Sequence, residues 1–292
     1  MDAVLIGNFD GVHLGHQALV RAARQEADVE CVIAVTFDAH PRTLLGGGAP
    51  ALLTLPAERL RLLCEAGATR VESLRLDEEL LGRSPEDFIQ WLHRRIPFGL
   101  IVEGADFRFG RARSGDVRTL EASGARLGFR TLVANQVEVS LCDGNVVGAR
   151  SSLIRWLLER GRVADAARVL GRPHIVEGPV VRGAQRGREL GFPTANVDPC
   201  GIMLPADGVY AVEVTSAGGE RWRGAASIGS NPTFGEQPRT LEVHLLGVGS
   251  SLDLYGRTIR VHFLRWIRGM VRFDSVDSLV EQMARDCEKV EA

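Results

Sequence analysis

Val4, Leu5 and Ile6 form an apolar run without a polar break, ended by Gly7. A strand of that kind is expected to be buried on both faces, which places it in a parallel sheet covered by helices. Gly7 and Gly11 punctuate the turn that follows. From about Leu14 the apolar residues Leu14, Ala18, Leu19, Ala22 and Ala23 recur at helical spacing, while Gln17, Arg21 and Arg24 fall outside the stripe. A strand thus feeds a helix through a glycine-containing loop.

Such a helix start presents unpaired backbone N–H groups and the positive end of the helix dipole, so an anionic phosphate is its natural ligand. His13 and His16, three apart, stand on one face beside it. The chemistry that wants this arrangement is attack on the α-phosphate of a nucleoside triphosphate. An attacking phosphate is already an anion and needs no general base; the charge growing on the phosphorus oxygens needs donors. Losing one well-placed donor of this kind costs roughly 3 kcal/mol of barrier. Gly15 lets backbone and nucleotide come close. The alternatives are a surface histidine pair or two zinc ligands at i and i+3. Zinc needs further ligands, and Cys31, Cys64, Cys142, Cys200 and Cys287 are scattered without a CxxC, so the nucleotide reading is preferred.

The first half continues to alternate. Cys31 to Phe37 reads as a second buried strand with Asp38-Ala39-His40-Pro41 in a loop at its end, where ligands of open parallel sheets sit. Pro56 begins a helix carrying Leu60, Leu63 and Cys64 on one stripe, and Gly67 marks its exit. Ser84-Pro85-Glu86-Asp87 is a helix start whose buried face is Phe88, Trp91 and Leu92. Gly99 to Val102 is expected to be a strand leading into the loop Glu103 to Gly115. That loop has the aromatics and arginines to stack on a ring and neutralise phosphate. It could equally be a solvated basic loop with Phe107 and Phe109 in the core; its position after a strand favours a site. Signals of this kind reach about Leu141, and the fold class expected is a doubly wound, Rossmann-like α/β domain.

Ser151 to Leu170 is helical in composition, interrupted at Gly161, and Gly171-Arg172-Pro173 stops it. Beyond that boundary come short strand-like runs: His174 to Arg182, Gly208 to Thr215, Arg221 to Ile228, Thr240 to Leu246 and Thr258 to Phe263. Turn residues separate them, which points to an antiparallel β-barrel. A C-terminal helix from about Ser275 carries Val276, Leu279, Val280, Met283 and Cys287 on a stripe that can cover the barrel. Between the first two runs, Gly183 to Asn196 combines glycines and arginines with Thr194 and Asn196. Those are parts for Mg-ATP, because Mg²⁺ prefers oxygen donors. The loop is not a Walker A sequence, and composition alone would allow a glycine-rich hairpin with surface arginines.

At 292 residues the chain has room for two domains, each with its own core. A formal net charge of −2 shows no basic bias, so no nucleic-acid partner is expected. The scattered cysteines fit a reducing cytoplasm, and no run approaches the ~20 apolar residues of a membrane span. Neither a secretory signal nor a membrane partner is expected.

The words GxFDGVHxGH, Gly7 to His16, resemble the HxGH nucleotidyltransferases, and FDGVH resembles the FMN adenylyltransferase module of bacterial bifunctional riboflavin kinase/FAD synthetases. Thr36-Phe37-Asp38-Ala39-His40-Pro41 is similar to that family's TFDPHP segment, and Asp106 to Gly110 to its DFxFG segment. The resemblance implies that His13 and His16 serve the transferred phosphate. It implies ATP contacts from Gly7, Asn8, Phe9, Gly15, Ser151, Ser152 and Arg155, and flavin contacts from Asp38, Asp106, Phe107 and Arg108. At Ser151-Ser152-Leu153-Ile154-Arg155 the family reads Ser-Thr-Arg-Ile-Arg, so Leu153 stands where a guanidinium is usual.

Gly183 to Asn196 reads GxxxGRxLGFPTAN and resembles riboflavin kinase, as do Gly229-Ser230-Asn231-Pro232-Thr233-Phe234, Leu241 to Leu245 and Asp253-Leu254-Tyr255-Gly256. That resemblance implies ATP contacts from Gly183, Arg188, Gly191, Thr194 and Asn196, magnesium at Thr194 and Asn196, and Glu242 as catalytic base. A ribityl alcohol is a poor nucleophile while protonated, so γ-phosphoryl transfer calls for a carboxylate. Without its motif Glu242 reads as an exposed strand carboxylate. The resemblance as a whole implies an adenylyltransferase domain at 1–170 and a riboflavin kinase domain at 171–292. The substrates would be riboflavin, FMN and ATP, the products FMN and FAD, and the chain a cytoplasmic monomer or weak oligomer. The alternatives are a riboflavin kinase with weak or lost adenylyl transfer, motivated by Leu153, a nucleotidyltransferase for another phosphorylated metabolite, and a flavin-responsive RNA-binding regulator.

Overall fold

In the computed structural model, which describes residues 1–44, 46, 48–183, 191–229, 239–248 and 252–291, the first strand is β1 (Asp2–Ile6). It lies at the centre of a five-stranded sheet with β2 (Cys31–Phe37), β3 (Arg70–Leu74), β4 (Leu100–Gly104) and β5 (Arg130–Ala134). The order is β3-β2-β1-β4-β5 and every pairing is parallel. Successive side chains of a strand point to opposite faces. Ala3, Leu5, Val32, Ala34, Leu100 and Val102 accordingly join one hydrophobic cluster, and Val4, Ile6, Ile33, Val35 and Ile101 the other. The first cluster is covered by α1 (Leu14–Gln25) and α3 (Pro56–Glu65), the second by α5 (Pro85–Arg95) and α6 (Val117–Leu127). The short helices α2 (Pro41–Leu44) and α4 (Glu78–Gly82) lie in the connections after β2 and β3.

Local chemistry sets the helix ends. The Ser84 hydroxyl accepts from Asp87 N at 3.1 Å and Pro85 occupies the first turn, as its sequence foretold. Asp116 and Thr119 close a capping box on α6, and Gly128 ends that helix at φ 84°, where a side chain would be strained.

The sheet belongs to a first compact unit, Met1–Pro50 with Leu55–Val139 and Val146–Ala149. Strands β6 (Glu138–Ser140) and β7 (Val146–Gly148) form a small hairpin. The second unit comprises Ala51–Thr54, Ser140–Asn145 and Arg150–Ala292. It opens with α7 (Ser151–Leu158) and α8 (Val163–Leu170), broken at Gly161, whose φ is 69°. A Cβ there would lie 2.6 Å from the Trp266 ring, so the break is also a close approach. The two helices group with the strands that follow them.

Those strands close a barrel in the order β10-β11-β12-β9-β8-β13, and β13 pairs back onto β10. They are β8 (His174–Val181), β9 (Thr194–Val197), β10 (Gly208–Ser216), β11 (Arg221–Gly229), β12 (Thr240–Leu245) and β13 (Thr258–Arg268). All neighbours are antiparallel. Five had been foreseen as strand-like runs; β9, only four residues long beside Pro193, had not. Closure removes exposed sheet edges and encloses Val176, Tyr210, Val212, Val243, Val261 and Phe263.

The last helix, α9 (Val276–Glu291), packs on β10 and β11. Val276, expected on its buried stripe, is 49% exposed; Leu279, Val280, Met283 and Cys287 are half-buried. The deeply buried positions are Asp286 and Val290. The correction has an electrostatic origin: Arg268 on β13 holds Asp286 by two guanidinium nitrogens at 2.7 to 3.1 Å, and that pair seats the helix.

Candidate functional site

The loop after β1 is an unusual piece of backbone. Phe9, Gly11 and Val12 have φ of 48°, 86° and 38°, and a β-branched residue at positive φ is an outlier that persists only where its surroundings enforce it. Phe9 and Val12 are buried. The loop delivers His13 to the N-cap of α1, where its Nδ1 accepts from His16 N at 3.4 Å. The His13 and His16 rings stack at 3.6 Å between centroids, and the Phe9 ring meets His16 edge-on at 5.2 Å. His13 is almost fully buried. The paired imidazoles and the N-terminal end of α1 therefore lie together, as the sequence spacing implied.

Glycine is needed in this loop for space. A Cβ on Gly15 would lie 3.1 Å from the His13 ring and from the Ala149 carbonyl, and one on Gly7 would press on the Phe9 ring at 3.2 Å. Asn8 turns a buried Oδ1 inward that has no hydrogen-bond partner among the described residues, an acceptor available to a ligand. The loop emerges between the C-terminal ends of β1 and β4. The strand order reverses there, and open α/β sheets bind ligands at that point.

Two residues that sequence reasoning passed over hold this corner. Glu103, at the end of β4 and 2% exposed, accepts from Ile6 N at 2.6 Å. Burial pushes its carboxyl well above the ordinary range; the Ile6 N–H bond opposes that shift and the Asp106 charge adds to it. Arg59, on α3 and 7% exposed, donates to Asn8 O and Phe37 O, each at 2.9 Å. Burial lowers its pKa, and the Asp10 charge works the other way. Both had a signal: Glu103 closes an apolar strand, and Arg59 shares the helix face of Leu62 and Leu63.

The expected flavin contacts divide. Asp38 is exposed and its Oδ1 accepts from Leu76 N at 2.9 Å, so one oxygen already serves the fold. Asp106 and Arg108 are exposed, with Arg108 Nη1 donating to Phe107 O. Phe109 is core, and Phe107 stacks on it at 5.3 Å, half-buried against the same cluster. Ser151, Ser152 and Arg155 lie on α7 in the second unit, where Arg155 donates to Ala51 O. Leu153 on that helix is half-buried.

A second constellation stands on the wall of the barrel. Along β12 the side chains of Leu241, Val243 and Leu245 are buried, so Glu242 and His244 point the other way. Register sets Glu242 opposite Asn196 on β9 and Ser227 on β11, and His244 opposite Thr194. Glu242, Asn196 and Thr194 thus share one face, and Thr194 Oγ1 donates to Glu242 Oε2 at 3.3 Å. The His244 Nδ1 and Pro193 O lie 2.9 Å apart, which fixes the segment entering β9. Gly183 passes so close to this face that a Cβ on it would meet the Asn196 amide at 2.2 to 2.6 Å. Gly191 sits in an exposed turn at φ 81°. Arg188 and the Ser230 to Phe234 part of the second motif lie outside the described residues. The oxygens of Thr194, Asn196 and Glu242 form a hard donor set of the kind Mg²⁺ accepts. Among the described residues no group of three or more His, Cys, Asp or Glu is placed to hold a metal. Among them, too, no helix is long and apolar enough to cross a membrane.

The comparisons with known proteins match both halves. A family model for FAD synthetase matches residues 1–144 and one for riboflavin kinase matches residues 170–292. The bifunctional riboflavin kinase/FMN adenylyltransferase of Escherichia coli K12 is 40% identical over 287 residues, covering 96% of this chain and 89% of that protein. The proteins of that name from Haemophilus influenzae and Bacillus subtilis are 35% and 32% identical, covering 99% and 96% of this chain and 93% and 89% of theirs. A solved structure from Streptococcus pneumoniae, described as a macrolide-efflux protein, matches with a TM-score of 0.86 at 32% identity, covering 99% of this chain and 94% of its own. With both family models matched and a named relative aligned over nearly its whole length, this chain belongs to the bifunctional riboflavin kinase/FMN adenylyltransferase family.

Proposed function

We infer that the chain carries out two ATP-dependent transfers: riboflavin and ATP give FMN and ADP, and FMN and ATP give FAD and pyrophosphate. We assign the adenylyl transfer to residues 1–170 and the kinase step to residues 171–292. The observation that carries the kinase assignment is the hydrogen bond from Thr194 to Glu242 on the face shared with Asn196. Glu242 takes the proton of the ribityl hydroxyl as that oxygen attacks the γ-phosphorus and ADP leaves. Thr194 orients the carboxylate, and Gly183 keeps Asn196 in place by having no side chain. Thr194 and Asn196 would hold Mg²⁺, which screens phosphate charge when bound. Gly191 and Arg188 belong to the same ATP-binding segment.

In the adenylyl transfer the FMN phosphate attacks the α-phosphorus of ATP and pyrophosphate departs, with no general base required. His13 and His16 steady the charge on the reacting phosphoryl group, together with the N–H groups opening α1. Gly7, Asn8, Phe9 and Gly15 shape the ATP side, and Ser151, Ser152 and Arg155 supply hydroxyls and a cation. Asp38, Asp106, Phe107 and Arg108 contact the flavin. The balanced charge and the five free cysteines support action in the cytoplasm on small molecules without a nucleic-acid partner, and the chain is proposed to act as a monomer or weak oligomer.

The test is a time course of riboflavin, ATP and Mg²⁺ with the purified chain, separating riboflavin, FMN and FAD. Glu242→Ala is expected to abolish FMN formation and leave FAD synthesis from supplied FMN, with His16→Ala doing the reverse. Loss of both activities from either folded variant would break the division of labour, and no FAD from FMN with the wild-type chain would leave only the kinase.

A further inference from the structure

We propose that Glu103 and Arg59 are positioning residues for adenylyl transfer, a two-sided clamp that holds the loop after β1 in the strained form presenting His13 and His16. The inference rests on the adenylyltransferase reading of the first unit.

The register between β1 and β4 runs Ala3↔Leu100 and Val4↔Ile101. Two residues further along, Ile6 N bonds the Glu103 side chain at 2.6 Å. A carboxyl oxygen thus stands in for a ladder carbonyl, which lets the strands part at the switch point without stranding a buried amide. On the other flank Gly7 N donates to Val35 O at 3.0 Å, and Arg59 joins the Asn8 carbonyl to the Phe37 carbonyl at the end of β2. Thr36 Oγ1 adds a contact to Asn8 O at 3.3 Å.

These bonds lie directly ahead of the stretch whose backbone has positive φ. Phe9, Gly11 and Val12 begin one residue after Asn8 and end one residue before His13. Such conformations survive only when the structure around them over-determines the path, and the histidine pair inherits its placement from that path. Glu103 needs only to accept here, and burial favours its neutral form. Glutamine can accept from Ile6 N in the same geometry, whereas leucine cannot. Arg59 uses two nitrogens to span two carbonyls, which one lysine ammonium cannot reproduce.

The experiment measures kcat and KM for FMN adenylylation in wild type, Glu103→Gln, Glu103→Leu and Arg59→Lys, with thermal melts for folding. It also follows the His13 and His16 ring signals by NMR. A displacement of about 1 Å at the reacting groups costs about 100-fold, so Glu103→Leu and Arg59→Lys are expected to lose kcat on that scale with KM unchanged. Glu103→Gln should restore most of it, and the ring signals should move in the two slow variants alone. A folded Glu103→Leu at wild-type kcat, or Glu103→Gln as slow as Glu103→Leu, overturns the clamp. Should Glu103→Leu fail to fold, Arg59→Lys with wild-type kcat and unmoved histidine signals overturns it. If the wild-type chain makes no FAD, the adenylyltransferase reading fails instead, and the ring signals still decide the clamp.

Discussion

Gly183→Ala adds a single carbon on the glycine that faces Asn196, at a distance from the Asn196 amide that no relaxed contact allows. The new Cβ would lie 2.2 Å from Asn196 Nδ2, 2.4 Å from Cγ and 2.6 Å from Oδ1. Ordinary contact begins near 3.4 Å, so one of the two segments must retreat by about 1 Å. The Asn196 side chain is the softer partner, because its backbone is fixed by the ladder to Glu242. A 1 Å error in a positioned group costs about 100-fold in rate, equivalent to about 2.7 kcal/mol of barrier. Stability should change far less, since Asn196 is half-buried and its amide can turn toward water. The assay is riboflavin phosphorylation at saturating Mg-ATP, with FAD synthesis from supplied FMN as internal control and a thermal melt alongside. Gly183→Ala with wild-type FMN formation and an unchanged melt would refute the role given to Asn196. Loss of both activities with a collapsed melt would show that the contact serves the fold.

Arg268→Met leaves the buried Asp286 carboxylate without its counter-charge and with the Gln282 amide at 2.9 Å, and breaking such a pair costs about 3 kcal/mol, read as a lower melting temperature of the unit holding the barrel. Glu103 makes a pH prediction of definite sign. Its folded carboxyl titrates well above its unfolded value, so the folded state holds the extra proton and loses relative stability as pH rises above about 4.3. Melts between pH 5 and 8 should show that decline for the first unit, and Glu103→Gln should flatten it; an equal slope in the variant would contradict the assignment. His16→Ala should cost adenylyl transfer about 3 kcal/mol of barrier while riboflavin phosphorylation continues, measured as FAD and FMN formation in separate assays.

How far the sequence could be read depended on the range of the interaction. The Val4 to Ile6 and Cys31 to Phe37 runs became strands because a short, almost wholly apolar run has few other stable fates, and Ser84-Pro85 began a helix because its cap is made three residues away. The His13 and His16 pair was legible for the same reason: one helical turn brings the rings together wherever the helix lies. Strand β9 was not legible, since Thr194 to Val197 has neither length nor alternation and is a strand only because β12 and β8 accept it. Phe107 also escaped a firm reading, for a loop aromatic packs or stacks on a ligand according to what surrounds it.

By itself the order of residues determined the alternation of strand and helix, the later run of strands, the histidine turn and the Thr194, Asn196 and Glu242 motifs. Tertiary structure alone decided that β13 returns to β10 to close the barrel, that α7 and α8 group with it, and that Glu103 and Arg59 are buried against the loop they hold. The physical reason is that a buried polar side chain is tolerable only beside a hydrogen-bond partner, and those partners lie 97 and 51 residues away in the chain.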